Sequence, residues 1–401
     1  MENLIEYYCS LNVKKFSKML DNTSQCYKFF WLDSIMQLVA RGEKTPTFLE
    51  IFAGMIADAW YAVSEYHLRL GPKNKDGSSS DILERAVNKL GQTVDIKNDE
   101  ARDIIIEKTK SNRQCVKKEM MDLAKNVPYR ILSPFIEEIK GNDTLWNNKK
   151  HLITYFDMVD KKECLPYKIE EGTGLNKKII INNSWRNFFI DNMVTIRGWI
   201  KMKKLKYLQD RNPGVPGIIY KLEPERDKKR RLEKARKLWD CVMEINGGEF
   251  SDIYSNAPLN GEYDIDHFIP WSYVANDELW NLVPVKGNLN SAKNNRLPQW
   301  ENYYGGFAHR QYLLNRTVHS NEYAGRLFND CKRYNLNSIW PLDELYIEGI
   351  EPDNFSQVLY KRLHPIYESA LTQGYSVWKN KINPAIPGKN SFLLRTIRRR
   401  N

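Results

Sequence analysis

The most informative segment of the sequence is Tyr263-Asp-Ile-Asp-His-Phe-Ile-Pro-Trp-Ser272. Apolar and polar residues alternate as far as His267, which predicts a strand, and Pro270 then ends the alternation. A second extended segment begins at Leu282-Val283, and the residues from Lys286 to Asn295 suit one short helix. The sequence therefore predicts a strand, a loop, a second strand and a helix, which together form a ββα unit.

Three polar side chains of this unit have the chemistry that phosphodiester hydrolysis requires. The reaction needs an activated water and a cation that absorbs charge on the leaving oxygen. Asp266 offers a hard oxygen ligand, and the neighbouring His267 offers a base whose ordinary pKa lies close to neutral pH. If the helix folds back on the strands, Asn290 supplies a second oxygen ligand. Carboxylate and amide oxygens favour Mg²⁺ or Mn²⁺ over zinc.

The same residues resemble the motif of the HNH, or His-Me finger, nucleases, and they are most similar to the HNH domain of the type II CRISPR effectors. That motif reads Asp-x-Asp-His-Ile-x-Pro-x-Ser, then Asn, then Asn-x-x-Lys. Here it is filled by the segment from Asp264 to Ser272, by Asn281 and by Asn290-Ser-Ala-Lys293. The resemblance implies an endonuclease built on a ββα-metal fold.

The resemblance also implies a role for each motif residue. His267 is expected to act as the general base, and Asp266 and Asn290 are expected to bind the metal, Mg²⁺ or Mn²⁺. Asn281 would brace the loop behind the histidine. Lys293, one turn after Asn290, would face the phosphate.

Two features depart from the wider family. His267 is the only motif histidine, because the third letter of HNH is asparagine here, as in the CRISPR subgroup. The six cysteines lie far apart without any CxxC or CxxH pair, so no structural zinc is expected. Because no zinc staples the small ββα unit, we expect the helices near Arg226 to Met243 and after Trp300 to cover it.

The net charge of +11 is concentrated in one segment. From Arg197 to Lys237 the sequence has fifteen Lys or Arg against five Asp or Glu, a local excess of +10. A polyanion is the simplest partner for such a segment, and a solvated helix face is the alternative. The candidate nucleic-acid-binding residues are Lys201, Lys203, Lys204, Lys228, Lys229, Arg230 and Arg231.

Helical periodicity dominates the first part of the chain, up to about residue 145. An apolar stripe from Phe48 to Val63 follows the Thr45-Pro46 pair, which is typical of a helix N-cap and first turn. Further helices are predicted over 29–40, 81–90 and 98–124. Two β-like runs then begin at Tyr167 and Lys178, and one long helix is predicted from Trp185 to Asp210.

These patterns predict an α+β protein that is predominantly α-helical, with a helical N-terminal body and an embedded ββα-metal (HNH) nuclease unit. Four segments follow from the patterns. They are a helical domain with a partner or regulatory role (1–145), a mixed helical segment with a basic nucleic-acid-binding surface (146–240), the HNH nuclease domain (241–310), and a helical segment that packs on the nuclease domain (311–401).

The sequence gives no sign of a membrane or secretory segment. No apolar run approaches the ~20 residues that a span requires. The first residues lack the basic start and the small-residue cleavage site of a secretory signal. A cytoplasmic protein without a membrane partner is therefore expected.

Cleavage of DNA is the leading functional prediction. A catalytically inactive HNH fold used for nucleic-acid binding or assembly is one alternative. An RNA-cutting nuclease or toxin is another, because such a site responds to phosphate geometry rather than to the sugar. The motif and its context also resemble bacterial HNH proteins of similar length, many of which are thought to serve in anti-phage defence. That likeness implies an ATPase or sensor protein as a partner.

Overall fold

The computed structural model describes residues 11–21, 23–72, 81–139, 141–161, 164–170, 172–223, 232–247, 250–259, 261–333 and 344–380. The chain divides into two compact units. The N-terminal unit comprises Met1–Pro213 and Ile218–Pro224, and the C-terminal unit comprises Gly214–Gly217 and Glu225–Asn401. The described residues are mostly helical with a few short strands, which confirms the predicted α+β class. None of the described helices combines the length and the hydropathy that a membrane span requires.

Helices form most of the described N-terminal unit. They are α1 (Val13–Ser17), α2 (Tyr27–Ala40), α3 (Phe48–Ser64), α4 (Ile82–Thr93), α5 (Arg102–Ser111), α6 (Arg113–Ala124), α7 (Val127–Arg130), α8 (Asp143–Asn147), α9 (Lys149–Asp160), α10 (Asn183–Asp191) and α11 (Met193–Arg211). The apolar stripe from Phe48 to Val63 lies on α3 and is largely buried. Since α3 contacts α2, α4 and α5, it forms the centre of this unit's core.

Helix α3 begins later than the sequence predicts. Thr45 is not the N-cap, because the carbonyl oxygen of Pro46 accepts a hydrogen bond from the backbone N–H of Ile179 at 3.0 Å and keeps this segment extended. Thr47 caps the helix instead. Its hydroxyl accepts from Glu50 N at 3.2 Å, and the Glu50 carboxylate accepts from Thr47 N at 2.8 Å. This reciprocal pair is a capping box.

Two stretches that the sequence predicts as continuous helices are each interrupted at an asparagine. Asn112 separates α5 from α6, and its Nδ2 donates to the carbonyl oxygen of Lys108 at 2.8 Å. Asn192 separates α10 from α11, and its Nδ2 donates to the carbonyl oxygen of Phe188 at 3.0 Å. Each amide thus satisfies a carbonyl at the end of the first helix and competes with continuation of the helix. The predictions of single helices over 98–124 and 185–210 are wrong at these two points.

The two predicted β-like runs of the N-terminal unit are confirmed. They form β1 (Tyr167–Ile169) and β2 (Ile179–Ile181), an antiparallel pair in which Tyr167 lies opposite Ile181. In both strands the outer two residues are buried and the middle one is exposed, as expected for a two-residue period.

The C-terminal unit contains the predicted ββα arrangement. Its elements are α12 (Glu233–Asn246), β3 (Asp264–His267), α13 (Trp271–Val274), β4 (Leu282–Val285), α14 (Gly287–Lys293), α15 (Trp300–Ser320), α16 (Glu322–Arg333) and α17 (Pro352–Gln373). Strands β3 and β4 are antiparallel, with Asp266 opposite Val283 and His267 opposite Leu282. Helix α14 follows directly and contacts β3, so the order strand, loop, strand, helix is confirmed.

Flanking helices support this small unit. Both α12 and α15 contact β4. Phe268, the residue after β3, stacks on Phe307 of α15 with ring centroids 4.2 Å apart. Gln311 of α15 donates from Nε2 to the carbonyl oxygens of Leu279 at 3.1 Å and Leu282 at 2.7 Å. The expectation that neighbouring helices cover the ββα unit is therefore confirmed.

Candidate active site

Asp266 and His267 are the last two residues of β3, and both are buried. The Asp266 carboxylate is held by two buried donors. The Tyr254 hydroxyl donates to Oδ2 at 2.6 Å, and the Lys293 Nζ donates to Oδ1 at 3.0 Å. Each carboxylate oxygen therefore accepts at least one hydrogen bond from within the protein, and one of the two donors is a cation.

Lys293 makes two contacts at the end of β3. Its Nζ contacts Asp266 Oδ1 and also donates to the carbonyl oxygen of His267 at 2.7 Å, and a contact of this ammonium with a phosphate stays a prediction. Burial lowers the pKa of Lys293, and the charge and hydrogen bond of Asp266 oppose that shift. Burial, reinforced by the negative charge of Asp266, raises the pKa of Tyr254 well above its ordinary value, so this hydroxyl remains a hydrogen-bond donor.

The His267 imidazole contacts a carboxylate that the sequence analysis did not single out. Its Nε2 lies 2.9 Å from Asp277 Oδ1. Asp277 lies in the loop between α13 and β4, ten residues after the histidine, and nothing in the local pattern connects the two positions. Only the folded loop brings them together.

Asn290 lies on α14 beside β3. Its Nδ2 donates to Asp264 Oδ2 at 3.2 Å, and this bond orients the amide. The first residue of α14 is Gly287, where an added Cβ would lie 3.2 Å from Asp264 Oδ2. The small residue therefore allows the helix to approach β3 closely enough for the Asn290 contact.

Asn281 is fully buried and holds the chain just after His267. Its Oδ1 accepts from Ile269 N at 2.8 Å, and its Nδ2 donates to the carbonyl oxygen of Ile269, also at 2.8 Å. The carbonyl oxygen of Asn281 accepts from Phe268 N at 2.8 Å. Three hydrogen bonds thus fix the two residues that follow the histidine.

A cavity of about 210 Å³ opens beside these residues. It is lined by Ile265, Asp266, His267, Pro270, Trp271, Asn290, Ser291, Lys293, Asn294 and Asn295. The structure thus brings four predicted site residues together at one cavity, and it places Asn281 behind the loop, outside the lining. Across the described residues, no group of three or more His, Cys, Asp or Glu side chains is placed to hold a metal ion.

The predicted basic residues lie elsewhere. Three of them are on α11, where Lys201 pairs with Glu223 at 3.3 Å, Lys203 pairs with Asp21 at 2.7 Å and Lys204 contacts Asp33 at 3.6 Å. Because Lys204 is buried, it does not lie on a nucleic-acid-binding surface, and its predicted role is withdrawn. The other predicted residues lie outside the described part of the chain; they are Lys228, Lys229, Arg230 and Arg231.

Comparison with protein families agrees with this geometry. Residues 251–299 match the family model described as HNH endonuclease. The match includes β3, the loop, β4 and α14, and with them Tyr254, Asp277 and every predicted catalytic residue. The C-terminal unit therefore contains an HNH endonuclease domain, a class that acts on nucleic acids. Searches of curated proteins and of solved structures gave no significant match.

Proposed function

We propose that the protein is a metal-dependent endonuclease that hydrolyses phosphodiester bonds in DNA, with His267 as the general base. One observation carries the proposal: Asp266, His267 and Asn290 line a single cavity within the HNH endonuclease domain. A base next to two oxygen donors is the arrangement that metal-assisted hydrolysis needs.

The oxygen donors of the cavity suit Mg²⁺ or Mn²⁺. Asp266 would supply a carboxylate oxygen and Asn290 an amide oxygen, and Mg²⁺ usually keeps several waters beside one or two protein ligands. Since Asn290 Nδ2 donates to Asp264, the amide oxygen is the atom available to a cation. The hydrogen bonds on Asp266 leave a second lone pair on each carboxylate oxygen. A bound divalent cation would supply positive charge beside the leaving oxygen.

The remaining steps belong to the chain itself. His267 takes the proton of the attacking water, whose oxygen bonds to phosphorus as the bond to the leaving oxygen breaks. Asn281 keeps the loop after His267 in place through its hydrogen bonds to Ile269. Tyr254 and Lys293 hold the Asp266 carboxylate at the edge of the cavity.

Lys201 and Lys203 on α11 would bind the phosphate backbone of the nucleic acid, as would the segment from Lys228 to Arg231. Contacts with phosphate do not distinguish one base sequence from another. We extend the proposal to anti-phage defence in a bacterium, with an ATPase or sensor protein as the partner that licenses cutting. The resemblance of the motif and its context to defence proteins supports this extension.

Incubation with supercoiled plasmid, single-stranded DNA and RNA in Mg²⁺, Mn²⁺ or EDTA tests the proposed activity. We expect nicked or linear plasmid with either cation and intact plasmid in EDTA. His267→Ala should lower the cleavage rate by ~10²–10⁴, the usual scale for loss of a general base, while plasmid binding stays unchanged.

The matched control is His151→Ala, which removes an exposed imidazole of α9 in the other unit. It should cleave at the wild-type rate. Cleavage of RNA alone would identify a ribonuclease, and binding without cleavage of any substrate would support the inactive HNH fold. Full activity of His267→Ala would remove His267 as the base.

A further inference from the structure

The His267–Asp277 contact joins a buried ring to a carboxylate at the edge of solvent. The His267 side chain is 4% exposed and that of Asp277 is 25% exposed. The two atoms, Nε2 and Oδ1, are 2.9 Å apart, a normal hydrogen-bond distance. The contact lies inside the catalytic domain but uses a residue outside the motif.

From this geometry, and resting on the proposed function, we infer that Asp277 is a positioning residue for His267. An ionised carboxylate only accepts hydrogen bonds, so the proton of the neutral imidazole is held on Nε2. The lone pair then belongs to Nδ1, which under the proposed function would be the nitrogen that takes the proton of the attacking water. Asp277 also stabilises the imidazolium that this transfer creates.

The loop that carries Asp277 is fixed on the side of α13. Tyr273, near the end of α13, is buried, and its hydroxyl hydrogen-bonds to the carbonyl oxygen of Gly214 and to Ser369 Oγ, both at 2.7 Å. Ala275 then turns the chain with a φ of +55°, a left-handed backbone conformation that residues other than glycine rarely adopt. This turn, two residues before Asp277, sends the loop back toward β3.

The loop is fixed after Asp277 as well. The carbonyl oxygen of Leu279 accepts from Gln311 Nε2 of α15, and Asn281 N donates to the carbonyl oxygen of Glu278 at 2.9 Å. Anchored on both sides, the loop holds the carboxylate at a set distance from the ring. The left-handed Ala275 is the C-cap of α13, and this turn together with the anchors on both sides places the Asp277 carboxylate.

The tautomer of His267 is the direct test, and it does not depend on nuclease activity. The protein has six histidines, so ¹⁵N-labelled histidine gives a countable spectrum, and the His267 signals are those lost in His267→Gln. At alkaline pH, where the imidazole is neutral, we expect the Nε2–H tautomer in the wild type. Asp277→Ala should give a mixture of tautomers, whereas Asn276→Ala, an exposed change in the same loop, should not alter the spectrum.

Kinetics supply the second test. Asp277→Ala should lower kcat about 10- to 100-fold with little change in KM, the usual scale for loss of a residue that orients a site ligand or base. Asp277→Asn should lose at least as much, because its amide can donate to Nε2 and favour the wrong tautomer. Asp277→Glu should recover part of the rate, and Asn276→Ala should retain all of it.

The outcomes separate this inference from the proposed function. If the wild type cleaves no nucleic acid, the nuclease proposal fails, and the tautomer still decides the role of Asp277. If the wild type cleaves but Asp277→Ala keeps both its kcat and the Nε2–H tautomer, the positioning role is overturned while the nuclease stands. A wild-type His267 with its proton on Nδ1 would also overturn the inference.

Discussion

The affinity of Asp266 for a cation depends on a second buried residue, Lys293. The Asp266 carboxylate is the predicted metal ligand, yet the fully buried Lys293 ammonium lies 3.0 Å from Oδ1. A positive charge at this distance offsets the attraction of the carboxylate for a cation, and burial strengthens the effect because water screens it less. The cavity should therefore bind a divalent cation weakly until a phosphate adds negative charge.

Lys293→Met tests this balance of charge. Removal of the ammonium leaves Asp266 uncompensated, so Mn²⁺ should bind about tenfold more tightly, a difference of ~1.4 kcal/mol. Titration calorimetry with Mn²⁺ and no nucleic acid measures the change. Lys286→Met, at the start of the same helix and outside the cavity lining, is the control. Equal affinities in a variant with a wild-type circular dichroism spectrum would show that Lys293 does not set cation affinity.

From the sequence, a place in the site could be predicted only for residues that belong to the motif. The motif placed Asp266, His267 and Asn290 at one cavity because β3 and α14, which carry them, belong to the ββα unit whose order the sequence predicts. Tyr254 and Asp277 were missed, since each reaches the site through a loop whose path no local pattern records. Lys293 was found, but the direction of its ammonium depends on burial, which the motif does not specify.

Among the elements of the fold, α4 begins at an unusual cap. Asp81, its N-cap, is fully buried, and its Oδ1 accepts a hydrogen bond from Glu84 N at 2.9 Å. Burial raises the pKa of Asp81 to about 6, with the nearby Glu84 adding to the shift and the hydrogen bond from Glu84 N opposing it. The folded protein therefore holds the Asp81 proton more tightly than the unfolded chain does.

The sign of the resulting pH dependence follows from this raised pKa. The stabilising contribution of protonated Asp81 is complete below the unfolded value, near pH 4, and is lost as the pH rises through about 6. Asp81→Asn keeps a capping oxygen without a titrating group. Relative to this variant, the wild type should lose on the order of 3 kcal/mol of unfolding free energy between pH 4 and 7.

Urea denaturation over that pH range measures the difference. Asp143→Asn, an exposed change in the first turn of α8, serves as the control and should run parallel to the wild type. Parallel curves for wild type and Asp81→Asn would mean that Asp81 titrates alike in the folded and unfolded states.

Element types were easier to predict than element boundaries. The periodicities of 3.6 and 2 correctly gave most helices, both strand pairs and the ββα order. The interruptions at Asn112 and Asn192 were missed because each depends on a side-chain amide competing for one carbonyl, and periodicity barely changes across such a break. The shift of the α3 cap to Thr47 was missed for another reason: a distant strand, β2, holds Pro46 extended.

The division of the chain into two units indicates which residues a fragment must keep if it is to fold and act as a nuclease. Four residues from the connection, Gly214–Gly217, belong to the C-terminal unit. The carbonyl oxygen of Gly214 accepts the hydrogen bond from Tyr273, and a Cβ at Gly214 would lie 2.4 Å from Ser369 Oγ. This close approach ties the segment to the loop that carries Asp277.

Two fragments, 214–401 and 225–401, test whether the C-terminal unit needs the segment Gly214–Gly217. We expect the longer one to fold and to cut nucleic acid, because it retains the HNH domain, its covering helices and the Gly214 contact. The shorter one should melt at a lower temperature, since loss of a buried hydrogen bond costs ~1 kcal/mol or more. Thermal melting and plasmid cleavage give the comparison. If neither fragment folds, the N-terminal unit is part of the nuclease core, and the partner or regulatory role expected for residues 1–145 fails.

The buried Lys293–Asp266 pair also affects the stability of the fold when a chelator removes divalent cations. Small domains built around a structural metal unfold when the ion is stripped away. Here an internal ammonium already occupies the neighbourhood of the carboxylate, so the apoprotein carries no uncompensated charge at this position. We expect the melting temperature in EDTA to lie within about 2 °C of that in millimolar Mg²⁺, because a weak ligand stabilises little. In Lys293→Met, scanning calorimetry should show a melting temperature that is higher in Mg²⁺ than in EDTA. A wild type that melts far earlier in EDTA would mean that the ion, and not Lys293, keeps this domain intact.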